Sequence, residues 1–341
     1  MTTTVPQSTR GQLRATDFSL LSPEVRANPY PYYAALRRES PIHQLAEGMP
    51  LYAITRYADV LHVLHHPELF SSTALQVALQ GGGIGIGPNS GALAGHRLLA
   101  SSMMIATDPP DHARLRRLVN RGFTPRHIAA LEPRIRELAN VFLDEAIRDG
   151  ELELVSGLSV PLPVTVIAEM LGVEPERRDQ FKAWSDAFVI GLSGAAGQYS
   201  KDDVRRAADE MADYIERVAA ERRTSPKDDL ISVLVRAEEG DALTTGEVMS
   251  FVVLLLIAGN ETTTNLIGNG VKALLAHREQ LDRVLADQAL VPALIDEVLR
   301  YDSPVQALPR STRSAVELPS GKVPENAMLL VFFASANHDE E

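Results

Sequence analysis

The sequence predicts a mainly α-helical fold with a small β region. Two patterns carry that expectation. Between residues 109 and 301, apolar side chains recur at the three-to-four-residue spacing of amphipathic helices. On either side of that span, at 41–55 and 306–333, short apolar runs are punctuated by Pro and Gly turns in the manner of strands. The chain has 341 residues, 45% hydrophobic and 23% charged, which suffices for one large core or two smaller ones.

Residues 1–30 read as a loosely structured lead-in ending at Asn28-Pro29-Tyr30-Pro31-Tyr32-Tyr33. PIHQL at 41–45 and PLYAIT at 50–55 read as two strands joined by a turn at Glu47-Gly48. Residues 56–66 have helical spacing, with Val60, Leu61 and Leu64 on one face. The 71–107 segment is rich in Gly, Ala and Ser, carries few charges and has no sustained period, which marks a functional or mobile stretch. Helices are expected over 110–121, 125–148, 159–171, 175–190, 200–223, 228–237, 244–276, 278–287 and 290–301. Asp108-Pro109-Pro110-Asp111 supplies a cap and a first-turn proline to the first of these. Residues 306–333 return to short strands, and AMLLVFFASA at 327–336 has the character of a buried strand. With no internal repeat and no linker between two cores, a single domain over 1–341 is expected.

Composition excludes several classes of function. A net charge of -12 argues against nucleic acid as the main partner. Zero cysteines removes disulfides, thiolate nucleophiles and sulfur-ligated metals. The apolar run near 251–258 is short of the roughly 20 residues that cross a bilayer, and the polar N-terminus lacks a secretory signal, so a cytoplasmic protein with no membrane partner is expected. The glycine run 81–87 has neither the lysine of a phosphate loop nor the spacing of a dinucleotide fingerprint, and reads as a loop. His62, His65 and His66 have no identifiable acidic or histidine partner nearby and read as helix-surface residues.

Three places carry chemistry. At Phe251–Thr264 (FVVLLLIAGNETTT) the most polar residues fall where a helix should be most deeply buried, an arrangement that costs several kcal/mol unless partners satisfy it. Gly259 removes a side chain, and the Thr262 hydroxyl can bond the carbonyl of Ala258 one turn back, which bends a helix and opens a groove with Glu261 and Thr262 at its edge. That pair fits a proton relay. A helix cap is the alternative, opposed by renewed apolar spacing at Leu266, Ile267, Val271, Leu274 and Leu275. Second, His112 and Arg116 lie at i and i+4 on one helix side, a geometry suited to a pair of carboxylates, although Arg114, Arg117 and Arg121 make a plain basic solvated face the favoured reading of these residues alone. Third, Glu297 and Arg300 form an acid–base pair at i and i+3 in an otherwise apolar segment; buried, such a pair acts more as a specificity device than a stabiliser. The same spacing at Glu145/Arg148 and Glu174/Arg177 reads as surface pairing.

In this order along the chain, these pieces resemble the cytochrome P-450 family of haem-thiolate monooxygenases, in its soluble bacterial branch. Ala258-Gly259-Asn260-Glu261-Thr262-Thr263 is similar to the family's oxygen-binding motif, and Glu297/Arg300 to its Glu-x-x-Arg helix. Asp108 to Val119 with Phe123-Thr124-Pro125-Arg126 is similar to the propionate-binding helix, and Phe333 to Asp339 to a bacterial strand pattern. The resemblance implies a P-450 fold, haem b as cofactor, and insertion of one oxygen atom from O2 into an apolar small molecule. It implies that Glu261 and Thr262 pass protons, that Ala258 and Gly259 leave room for O2, and that His112, Arg116 and Arg310 pair with the propionates. It implies Glu297 and Arg300 in a structural role, a pocket lined from 71–107 and 186–204, and Arg114 and Arg117 docking a ferredoxin, with the protein a monomer. The family's cysteine ligand lies in a loop downstream of the Ala-Ser-Ala-Asn strand, and this chain has no cysteine and ends at Glu341. The expectation is therefore a fold incomplete at the C-terminus and a fragment of an active enzyme, inactive as it stands; the alternative is a haem-free binding or interaction protein.

Overall fold

The computed structural model describes residues 13–15, 18–20, 22–80, 88–194, 198–236 and 243–341. The glycine run 81–87 lies outside these residues, as does the side chain of Glu145 in the expected pair with Arg148. The chain divides into two compact units, Met1–Ser71 with Val305–Glu341, and Ser72–Pro304.

In the first unit, α1 (Pro23–Ala27), α2 (Tyr30–Glu39) and α3 (Tyr57–His65) accompany β1 (Ile42–Gln44), β2 (Leu51–Ile54) and β3 (Phe70–Ser71). From the second stretch of chain come β4 (Leu308–Thr312), β5 (Val316–Leu318), β6 (Gly321–Val323) and β7 (Met328–Val331), followed by the short helix Phe333–Ala336. A five-stranded sheet runs β1-β2-β7-β4-β3, and β5 and β6 form a separate hairpin. The expected turn between β1 and β2 is present, with Gly48 at φ +76°, a conformation that favours glycine. The buried strand expected over 327–336 is shorter than its apolar run: β7 is central, paired with β2 and β4, but residues 333–336 coil into a helical turn. Arg37 fixes that turn. Buried on α2, it donates to the Ser335 carbonyl at 3.0 Å and to the Glu340 carboxylate at 3.1 Å.

The second unit is helical. It opens with α4 (Thr73–Gln80), so the 71–107 segment is not irregular throughout: this helix and two short 3-10 turns, Arg97–Leu99 and Met104–Ala106, give it order. There follow α5 (Asp111–Asn120), α6 (Pro125–Asp149), α7 (Pro161–Met170), α8 (Arg178–Ser193), α9 (Lys201–Thr224) and α10 (Leu230–Val235). Then come α11 (Thr245–Leu256), α12 (Thr262–Ala276), α13 (Arg278–Ala286) and α14 (Val291–Tyr301). Caps fix several starts: Thr124 accepts from the His127 N–H at 3.3 Å, and Ser200 and Asp203 form a reciprocal capping box on α9. The core gathers Leu98, Phe181, Phe188, Met211, Val218 and Val253, all buried, around α11.

The helix from Thr245 to Ala276, counted as one, has 32 residues and is long and apolar enough to cross a bilayer. The expectation that no segment has that length is corrected: the sequence showed a short apolar run because polar residues interrupt a longer helix. A third of its most apolar window is buried inside the protein.

Candidate functional site

Helix α11 is held at its start by Thr244, whose hydroxyl accepts from the Glu247 N–H at 3.2 Å while the Glu247 carboxylate accepts from the Thr244 N–H at 2.8 Å. Ser250 donates to the Ser101 carbonyl at 2.9 Å, and Val248 to Leu254 are buried on every side. After Leu256 the backbone widens into a π turn, Ile257–Glu261, and then resumes as α12. The segment is thus neither a cap nor a plain helix. A π turn inside an α-helix is rare and concentrates at functional sites.

The bond expected from the spacing is present: Thr262 Oγ1 donates to the Ala258 carbonyl at 2.5 Å. Glu261 and Ala258 are exposed, and Thr262 is half-buried beside them. Because the Thr262 proton is committed to a carbonyl, its oxygen is left to accept a hydrogen bond from outside. Gly259 faces another way than expected. A Cβ built there would stand 2.9 Å from Ile167 Cδ1 on α7, so the glycine permits close approach of α7 on that side and does not leave that side open. Asn260, to which the sequence assigned no role of its own, is buried, and Thr264 donates to the Ser159 carbonyl at 2.8 Å; the sequence signal for the latter was the third threonine of Thr262-Thr263-Thr264.

On α5, His112 is half-buried and Arg116 exposed, and among the described residues neither side chain has a hydrogen-bond or ion-pair partner. Their neighbour Arg114 is different. It is paired with Glu247 on α11, so the expectation that Arg114 docks a ferredoxin is corrected: that cation is already neutralised. Burial works against the Glu247 carboxylate, but hydrogen bonds from the Thr244 backbone and Arg114 outweigh it and hold its pKa below the ordinary range. Asp108 does not cap α5 with its side chain; its carboxylate accepts from the Ser72 N–H at 2.8 Å, and Pro110 stands at the cap.

The Glu297–Arg300 pair forms as spaced, through two bonds of 2.8 and 2.7 Å on α14. The bonds that Arg300 donates to Glu297 raise its pKa. Burial was the wrong expectation: the side chains are 57% and 45% exposed, so the pair is solvated and of modest energetic weight. Arg310 lies in the other unit, half-buried on β4, with Nη1 donating to the Pro309 carbonyl at 2.8 Å. A cleft of about 420 Å³ between α8 and α9 is lined by Trp184, Gln198, Tyr199, Asp203, Arg206 and Glu210. It touches the 186–204 connection but nothing from 71–107, and its lining mixes charges with rings.

A helical unit centred on one long helix with a polar π turn, together with a small mixed sheet, defines the class. Likeness to known proteins names it. The family model described as cytochrome P450 matches residues 176–341. Vitamin D(3) 25-hydroxylase of Pseudonocardia autotrophica is 39% identical over 319 residues, covering 92% of this chain and 74% of that protein. Cytochrome P450 monooxygenase PikC of Streptomyces venezuelae is 36% identical over 98% of this chain and 77% of its own. Among solved structures, cytochrome P450 CYP109Q5 from Chondromyces apiculatus matches with TM-score 0.82 and 42% identity, over 95% of this chain and 78% of that one. CYP109E1 from Bacillus megaterium in complex with testosterone matches with TM-score 0.77 and 37% identity, over 92% and 77%. The chain belongs to the cytochrome P450 family. Its family is one of haem b-binding monooxygenases.

Proposed function

We propose that this chain is the haem-binding body of a cytoplasmic, monomeric bacterial monooxygenase that hydroxylates or epoxidises an apolar small molecule with O2 and electrons from a ferredoxin. The observation that carries the reading is the π turn, which places an exposed carboxyl and a back-bonded hydroxyl side by side within an otherwise apolar helix. Haem b, when bound, supplies dioxygen activation. His112 and Arg116 fit its two carboxylates in chemistry: both are on one side of α5 and, among the described residues, neither is engaged by a protein acid, whereas Arg114 is. Arg310 is assigned to the same group on the family pattern. Glu261 takes protons from solvent, and Thr262 accepts and relays them at Oγ1. Glu297 and Arg300 hold α14 in shape. Arg117, exposed on α5, is assigned to docking an acidic partner on the family pattern.

The names of the vitamin D(3) hydroxylase and of the testosterone complex put secosteroids and steroids first among substrates to try. The chain contains no cysteine and so supplies no thiolate of its own. Haem titration tests the reading, because the single tryptophan, Trp184, reports binding through quenching. Saturable quenching is expected, with the midpoint weakened severalfold in Arg116→Ala and His112→Ala; unchanged midpoints in both would contradict the assignment. With dithionite and CO, the haem-loaded chain is expected to show no thiolate-type red-shifted Soret band, and its appearance would contradict that part.

A further inference from the structure

The helix that follows the π turn Ile257–Glu261 carries a second one against it. Val155–Ser159, which leads into α7, is also a π turn and packs directly on α12. Both widen the backbone ladder, and the Thr264 side chain touches a residue of each. Thr264 Oγ1 donates to the carbonyl oxygen of Ser159 at 2.8 Å and lies 3.4 Å from Asn260 Oδ1. Asn260 and Ser159 are both buried, and the Ser159 hydroxyl itself has no partner among the described residues. The acceptor is therefore the backbone of one widened turn, and the donor is a side chain projecting from just beyond the other. The Gly259 contact with Ile167 brings the same two helices together one turn earlier.

Thr262 and Thr264 divide the work. Thr262 bonds within its own helix, whereas Thr264 bonds across to α7's lead-in. We propose that Thr264 is a positioning residue: its hydroxyl locks the Ile257–Glu261 turn against the Val155–Ser159 turn and so fixes the direction in which Glu261 and Thr262 present their side chains. A shift of the turn by one residue toward α-register would rotate the downstream residues by about 100°, enough to turn the pair away from its present face. The purpose of the lock rests on reading Glu261 and Thr262 as a proton-handling pair; the lock itself does not, and its test reads no activity.

The test is amide hydrogen exchange on the full 341-residue chain, comparing 257–264 with 247–254 on α11 as internal reference. Thr264→Val keeps the shape and removes the donor; exchange over 257–264 is expected to rise at least about tenfold while 247–254 is unchanged. Thr264→Ser restores the donor and returns exchange to within about twofold of the parent chain. Ser159→Ala keeps the carbonyl and should exchange like the parent. The proposal is overturned if Thr264→Val leaves 257–264 unchanged, if it speeds both segments equally or prevents folding, if Ser fails to rescue, or if Ser159→Ala loosens the turn as much as Val does. Failure of the proton reading alone would leave the exchange pattern of the lock, and its loss in Thr264→Val, intact.

Discussion

Helices α11 and α12 are two halves of one helix, of similar length and both rich in aliphatic residues, yet they live in different surroundings. In α11 the residues from Val248 to Leu254 are all buried, covered by α9 and by the 3-10 turns at 97–99 and 104–106. In α12 no residue is buried; it packs on the 155–159 turn, α13 and α14, and leaves Val271 and Leu275 exposed. The π turn sits at the boundary. Aliphatic spacing thus tells which face of a helix is apolar and says nothing about what covers it. Glu261 and Thr262 fall where that cover ends, the first exposed and the second half-buried.

The sharpest way to break this comparison is one substitution made twice. Leu256, 1% exposed, and Leu275, 54% exposed, lie on either side of the turn. Leu256→Ala should cost about 2–5 kcal/mol in urea unfolding, from lost burial plus a cavity. Leu275→Ala should cost less than about 0.5 kcal/mol. Equal costs would mean that the two halves are equally covered. Next in size is the start of the buried half. Thr244→Ala removes the hydroxyl that caps α11, and should lower stability by about 1 kcal/mol by the same measurement.

The cover over α11 is also sensitive to acid. His96 is buried, its Nδ1 accepts from the Leu98 N–H at 3.2 Å, and its Nε2 meets Asp209 on α9 at 3.0 Å. Burial lowers its pKa, outweighing Asp209, and Arg205 and Arg97 push the same way as burial. The unfolded chain, with His near 6.5, therefore takes up the proton first, so stability is complete above that value and declines as pH falls below it. Thermal melts from about pH 7.5 to about pH 5 should show that decline, and His96→Gln should flatten it. An unaltered slope in the variant would remove His96 from the account. A small effect is expected on α14, in the less covered part of the unit: Glu297→Gln breaks a solvated pair and should cost about 0.2–1 kcal/mol, diminishing at high salt.

Much of this was legible in the sequence, and the omissions share a cause. Helix periods placed α5 to α14 to within a few residues, because amphipathic spacing is local information. The Thr262 back-bond and the Glu297–Arg300 pair were legible for the same reason: both partners lie within four residues. What required the fold was every partner far along the chain. Gly259 meets Ile167, Arg114 is taken by Glu247, Asp108 turns to Ser72, and Thr264 reaches Ser159, none of which spacing encodes. Burial was misjudged at Glu297 because apolar neighbours on a helix do not imply a cover. The helix at 73–80 was missed inside a stretch whose composition, rich in Gly and Ser overall, masked eight regular residues.

The most direct test of the central claim is amide exchange along the single helix 245–276 in the unmodified chain. Opening free energies should be high and uniform over 248–256, drop at the Ile257–Glu261 turn, and stay low through 262–276, with the step at the turn itself. Uniform protection across the turn, or a step displaced into α11, would contradict the claim that the polar turn marks the boundary between the buried half of the helix and its less covered half.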